Sequence, residues 1–263
     1  MSEMLREQAL EERYCLFFDF LGSSEIARHG PRERIHDFVD LLISISQIQS
    51  SENIDGAAQP DGSYRISLTP EISTFSDNVV VSWSNGESED SPNPKLSAYW
   101  AGIVCQDANR VLSGVAEVAL RIGLIVRGGL SYGELYHQRG VVFGEAMVDA
   151  YRLETKVACT PRVLVSPRVI ERMTRDKPEE QNYLLRDDDG EWYLNYYRQM
   201  IGNAVSPGEK FHEGALRWKQ AHLETVDRQI AEIRQTATPE AEKYANKWLW
   251  FRERFVIATE RYQ

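Results

Sequence analysis

The chain has 263 residues, 42% hydrophobic and 27% charged, a balance that suits one large globular domain, or one domain with an appendage, and argues against a disordered chain. A formal charge of −10 argues against a nucleic-acid polymer as partner, because such a polymer is held by a basic surface that replaces its counterions. The apolar run 15–21 is broken by Asp19 and too short to cross a bilayer; with no signal peptide or membrane anchor visible, a cytoplasmic protein is expected. Three cysteines (Cys15, Cys105, Cys159) without C-x-x-C spacing read as buried, reduced thiols.

In chain order, residues 13–20 read as a buried strand running into a helix start at Leu21-Gly22-Ser23-Ser24. Ile35, Phe38, Val39, Leu42 and Ile45 give residues 31–48 the spacing of a helix packed on the sheet. Residues 50–63 are turn-rich and read as a surface loop. Two strands follow, 64–75 and 79–83, separated by Ser76-Asp77-Asn78, which places Asp77 at a hairpin tip. After a second loop at 84–95 come a long helix at 96–122, a strand at 124–132 and an apolar stretch ending in Val141-Val142-Phe143. Gly144 opens a helix to about residue 158, 162–165 is a short strand, and Ser166-Pro167 starts another helix. Asp187-Asp188-Asp189-Gly190 reads as a hairpin turn. Two helical stretches, about 209–235 and 239–261, form a C-terminal hairpin whose apolar stripes read as packing faces. The organisation expected is residues 1–205 as one domain and 206–263 as a helical extension.

If the first strand neighbours the hairpin that follows it, Asp19 and Asp77 converge. Two carboxylates at that range repel unless cations lie between them, as in paired-metal phosphoryl-transfer sites. The oxygen donors suit Mg²⁺ or Mn²⁺, two ions per site, with the Phe20 carbonyl as a further ligand. The turn Leu21, Gly22 and Ser23 directs backbone N–H groups at whatever those ions hold, which suits a triphosphate. Taken singly, each feature is an ordinary loop aspartate or turn. The histidines show no zinc-ligand spacing, and P-loop, dinucleotide-binding and nucleophile-elbow motifs are absent.

Four segments together, FFDFLGSS (17–24), STFSDN (73–78), RGGLSYGEL (127–135) and GEAMVDAYRLE (144–154), resemble in order and character the core motifs of class III nucleotide cyclases. The resemblance implies an α+β fold, a ferredoxin-type palm with a central, mostly antiparallel sheet flanked by helices, here with the C-terminal helical hairpin added. It also implies a head-to-tail homodimer with composite sites. Asp19 and Asp77 are then the metal ligands of one subunit, and Arg152 reaches in from the other to stabilise charge on the α-phosphate as pyrophosphate leaves. A salt bridge from Arg152 to Asp149 or Glu154 is the plainer alternative.

The departures bear on substrate. Val148 stands where the family places a ribose-orienting asparagine, and Ser73 and Val141 stand at its two purine-reading positions. The chain is in this respect similar to the stand-alone pyrimidine cyclases of bacterial Pycsar anti-phage systems. That resemblance implies conversion of UTP to cyclic UMP, which acts on a separate cyclic-nucleotide-binding effector. A cytidylate cyclase, a purine cyclase with unrecognised base contacts, and a silent nucleotide-binding homologue remain the alternatives.

Overall fold

The computed structural model describes residues 10–48, 68–85, 94–173, 177–202 and 211–260. In chain order the elements are β1 (Glu11–Leu21), α1 (Ser23–His29), α2 (Arg32–Ser46), β2 (Glu71–Phe75), β3 (Asn78–Ser84) and α3 (Pro94–Arg121). They continue with β4 (Ile125–Gln138), β5 (Val141–Gly144), α4 (Glu145–Arg152), β6 (Val163–Val165), α5 (Pro167–Arg172), β7 (Leu184–Arg186), β8 (Trp192–Leu194), α6 (Tyr196–Gly202), α7 (Phe211–Arg234) and α8 (Pro239–Thr259). The sheet has eight strands in the order β2-β3-β1-β4-β6-β8-β7, with β5 paired to β4. Only β4 and β6 run parallel among these pairs, so the expected α+β class with a mostly antiparallel sheet, flanking helices and a C-terminal helical hairpin is the fold observed.

β1 lies at the centre, and its continuous apolar run serves two faces. Tyr14, Leu16, Phe18 and Phe20 join the main core with Val79, Val81 and Trp83, roofed by α2, α3 and the C-terminal helices. Cys15 and Phe17 face the other way, into a small cluster with Val80, Leu135, Ala146 and Ala150 under α4. That helix comes close because β4 offers glycine beneath it: a Cβ on Gly129 would lie 2.6 Å from the Ala150 carbonyl oxygen. Ser131 Oγ donates to the Ala146 carbonyl at 2.5 Å and pins the same contact.

Trp218, Val226 and Ile230 of α7 and Trp248, Phe251 and Phe255 of α8 are buried in the main core itself. Arg254 of α8 donates to Asp187 Oδ1 at 2.6 Å in the β7–β8 turn, the hairpin turn expected at 187–190. The caps expected at Ser166 and Thr238 accept from Val169 N (3.4 Å) and Ala241 N (3.1 Å).

Several expectations need correction. The strand expected at 64–75 begins at Glu71, because Pro70 has no N–H to give a ladder; residues 64–67 lie outside the described ones, as do the loops at 50–63 and 86–93 and the expected boundary at 205/206. β4 runs through Gly133 to Gln138 instead of stopping at Tyr132, since it keeps its pairing with β1 as far as Leu135 and then with β5. The helix expected to reach residue 158 is α-helical only to Arg152 and continues as one π-helical turn, Leu153–Val157. The helix start expected at 21–24 is that of the short helix α1, whereas the short helix α6 was not expected. Cys15 and Cys105 are buried as expected, with burial pushing the Cys15 thiol up to about 12, but Cys159 is exposed.

Candidate active site

The β1–β3 ladder ends at the pair Asp19↔Asn78, and on its other side Asp19 pairs with Arg127 of β4. Arg127, Asp19 and Asn78 therefore form one row across three strands, on the face that carries α4. Asp77 occupies the turn immediately before Asn78, so strand order brings the two aspartates to one place, as expected from the sequence. The turn is tight, with Ser76 at φ 54.

Asp77 is held from two sides. Ser23, the first residue of α1, donates to Asp77 Oδ2 at 2.5 Å, and Asn78 Nδ2 donates to Asp77 Oδ1 at 3.2 Å. Asp19 Oδ2 accepts from Arg127 Nη2 at 3.1 Å, while Asp19 Oδ1 is buried without a hydrogen-bond partner among the described residues. Arg127 makes a second ion pair, with Glu154. Glu154 is 2% exposed because it lies four positions after Ala150 and eight after Ala146, on the flank of the helix that faces the sheet. Burial raises Asp19, and Asp77's charge adds to the effect against the opposing pull of Arg127. Burial and then Asp19's charge raise Glu154. Lys247 of α8 faces the same cluster; burial lowers it, Arg127 lowers it further, and Asp19 and Glu154 pull it back.

Three carboxyl groups thus face two cations, with a hydrogen bond between Asp19 and Glu154 relieving part of the repulsion, and the acidic charge of Asp19 and Asp77 is in excess of its partners. That excess fits a divalent metal bound through oxygen atoms. Among the described residues no group of three His, Cys, Asp or Glu side chains has metal-ligand geometry, so a metal here needs oxygens from backbone or substrate besides Asp19 and Asp77. Phe20 is placed for this in one respect: it lies one residue past the end of the β1–β3 ladder, with its ring buried in the main core.

Leu21-Gly22-Ser23 forms the turn into α1. Gly22 sits at φ 102, and a Cβ there would meet Tyr244 Oη of α8 at 2.4 Å, so only glycine fits. Tyr244 Oη donates to the Leu21 carbonyl at 3.0 Å, which fastens the C-terminal helix to the turn. A cleft of about 300 Å³ opens beside it, lined in part by Gly22, Arg34, Gly123 and Tyr244.

Arg152 lies apart from this cluster in the same chain. Its side chain is 64% exposed and its guanidinium is 4.0 Å from Asp149 Oδ1, while Glu154 pairs elsewhere. Ser73 is buried on β2 and hydrogen-bonded to His137, whereas Val141 is exposed and projects from the side of the β4–β5 hairpin opposite Val142, which packs into the α4 cluster. Arg127 and Glu154 were not read as site residues, although both lie within the quoted motifs; the signals available were a lone arginine in an apolar strand and a glutamate at a spacing of four from Ala146 and Ala150.

The sequence matches no protein-family model and no curated protein. Among solved structures it is similar to the guanylyl cyclase Cya2 (13% identity, TM-score 0.37, covering 71% of this chain and 94% of that one). It is also similar to a bacterial light-regulated adenylyl cyclase (15% identity, TM-score 0.42, covering 81% of this chain and 57% of that one). A third is an adenylate/guanylate cyclase/hydrolase from Silicibacter pomeroyi (18% identity, TM-score 0.35, covering 70% and 95%).

Proposed function

We propose that the chain is a nucleotide cyclase that converts UTP to 3′,5′-cyclic UMP and diphosphate. The observation that carries the reading is the meeting of Asp19 and Asp77 at the α1 turn, with Asp77 held by Ser23 and Asn78, whose strand position faces Asp19, and with Asp19 Oδ1 buried and unpartnered among the described residues. The motifs quoted above support it, and Ser73 and Val141 in place of purine-reading groups support a pyrimidine.

In the reaction the ribose 3′-oxygen gives up its proton and bonds to the α-phosphorus as the bond from that phosphorus to the bridging oxygen breaks and diphosphate leaves. Mg²⁺ or Mn²⁺, two ions per site, supplies positive charge to the triphosphate and to the attacking oxygen. Asp19, Asp77 and the Phe20 carbonyl are the groups of this chain that would hold it. Ser23 and Asn78 keep the Asp77 carboxylate in one orientation. The backbone of Leu21, Gly22 and Ser23 opens α1 beside the phosphates.

Arg152 is assigned to the second subunit's site in a head-to-tail homodimer, meeting the charge that develops on the α-phosphate. Its exposure supports this, as does a rim of exposed apolar side chains on the same side: Phe75, Val148 and Tyr151. No helix among the described residues is long and apolar enough to cross a membrane. We place the protein in the cytoplasm, with cyclic UMP acting on a separate cyclic-nucleotide-binding effector in anti-phage defence.

Incubation with each of the four ribonucleoside triphosphates and Mn²⁺, followed by mass spectrometry, is expected to yield cyclic UMP. No cyclic nucleotide from any of them overturns the reading, and cyclic CMP alone makes the chain a cytidylate cyclase. Asp19→Ala and Asp77→Ala are each expected to abolish product while leaving the thermal melt near that of the parent; retained activity refutes the metal assignment. Val148, exposed at the ribose-orienting position, favours a second reading as a silent nucleotide-binding homologue. Tight triphosphate binding without diphosphate release would select it.

A further inference from the structure

A file of polar side chains lies buried on the sheet face that carries Asp19. Arg13 Nε donates to Ser82 Oγ at 3.1 Å, Ser82 Oγ is 2.8 Å from His137 Nδ1, and His137 Nε2 is 2.9 Å from Ser73 Oγ. β4 carries His137 beyond the end of its pairing with β1 at Leu135, so the ring bridges β3 and β2, two strands with which β4 does not pair. His137 is 2% exposed and Ser82 is fully buried.

The direction of the hydrogens follows from donor counting. Arginine only donates, so one lone pair of Ser82 is taken by Arg13. Each neutral tautomer leaves one serine hydrogen without an acceptor among the described residues, that of fully buried Ser82 if Nδ1 donates and that of Ser73, 9% exposed, if Nε2 donates, and the unmade bond costs more where solvent does not reach. Ser82 therefore donates to Nδ1, and the ring hydrogen sits on Nε2 and is donated to Ser73. Burial, with the charge of Arg13 adding to it, holds the ring neutral by lowering its pKa to about 4. Ser73 keeps its own hydroxyl hydrogen, which finds no acceptor among the described residues.

We propose that His137 is a positioning residue for base selection: by donating to Ser73 it leaves the Ser73 hydrogen to be donated outward, so the subsite favours a ring carbonyl, which takes that hydrogen, over an exocyclic amino group, which would leave it unpaired. Uracil presents a carbonyl acceptor at C4 where cytosine presents an amino donor. The inference rests on the cyclase reading, in which Ser73 meets the base, and it gives that reading its uridine preference.

The test compares UTP with CTP as substrates, with Mn²⁺, for the parent and three variants. His137→Phe keeps a ring without an N–H, His137→Gln keeps a donor at similar reach, and Ser73→Ala removes the hydroxyl. The parent is expected to favour UTP by about tenfold or more in kcat/KM, the factor that one well-placed hydrogen bond carries. The ratio should collapse towards unity in His137→Phe and Ser73→Ala, mainly through KM, and largely survive in His137→Gln. An unchanged ratio in either of the first two, with a parental thermal melt, overturns the inference, as does a parent that favours CTP. Ser73→Ala serves alone if His137→Phe does not fold. Calorimetric binding of UTP and CTP to the same proteins separates the two failures. A His137-dependent preference for UTP in binding, without turnover, sinks the cyclase reading and sustains base selection; binding without preference, or no binding, sinks base selection.

Discussion

Glu154→Gln tests the buried charge cluster through the pH dependence of stability. Glu154 is raised from 4.5 to about 7, by burial first and then by the charge of Asp19, and Asp19 shifts in the same direction. Between those values the folded chain keeps a proton that the unfolded chain has released. With more protons bound in the folded state, stability falls as pH rises through the window, by up to about 1.4 kcal/mol per pH unit and about 3 kcal/mol in all. Glutamine has no such proton to lose. The stability of the variant relative to the parent is therefore expected to rise by up to about 3 kcal/mol between about pH 4.5 and about pH 7.5. Urea unfolding of both proteins at matched pH values cancels the other titrating groups. A difference that stays constant with pH would refute the account. In the same variant Arg127 loses the Glu154 charge and turns wholly to Asp19, so the Mn²⁺ concentration for half-maximal product formation should rise about tenfold to a hundredfold, the range of one charge-assisted hydrogen bond.

Cys159 should react quickly with a thiol reagent in the native protein while Cys15 and Cys105 do so only on unfolding; two or three fast thiols would contradict the burial of β1 and α3. Arg254→Met leaves Asp187 short of one of its two arginines and should cost about 1–3 kcal/mol, read as a lower urea midpoint; an unchanged midpoint would show that the α8 contact with the β7–β8 turn does not stabilise the fold. Val148→Asp should leave the thermal melt intact but weaken self-association in sedimentation and lower turnover, and a fully active dimeric variant would remove the apolar rim from the interface.

What was legible in the sequence was what local pattern controls. The strand-turn-strand around Ser76-Asp77-Asn78, the caps at Ser166 and Thr238, and the hairpin turn at 187–190 each carry a residue type whose backbone preference decides the structure. The approach of Asp19 to Asp77 followed from strand order alone. The rest of the cluster depends on distances in sequence that no local rule spans: Ser23 reaches Asp77 across 54 positions, and Arg127 reaches Asp19 across 108. Glu154 was legible only in part. It continues the buried flank of Ala146 and Ala150 at a spacing of four, but its partner Arg127 stands on another element, out of reach of any local rule. His137 was set aside because its spacing matched no metal motif, yet its partners are hydroxyls on two strands that its own strand does not pair with.

The two faces of the sheet account for where the chemistry lies. One face of β1 is sealed by long helices whose buried side chains are mainly apolar, and the carboxylate they do bury, Asp107 of α3, is held by Trp83 and Arg110. The other face meets α4 alone, and glycine at position 129 lets that helix sit low enough for Glu154 to reach Arg127. Buried walls on one side of the carboxylates strengthen their charge, and an open side leaves entry for a triphosphate. The same open side shows why one protomer is incomplete in the proposed reaction. Arg152 and Val148 are four positions apart, hence on one flank of α4, and both are exposed beside Tyr151. In its own chain Arg152 has only a loose contact with Asp149 at 4.0 Å among the described residues, whereas in the proposed assembly a second copy laid across that flank would cover the apolar rim and receive the arginine in a single contact. Assembly and catalysis then depend on the same surface.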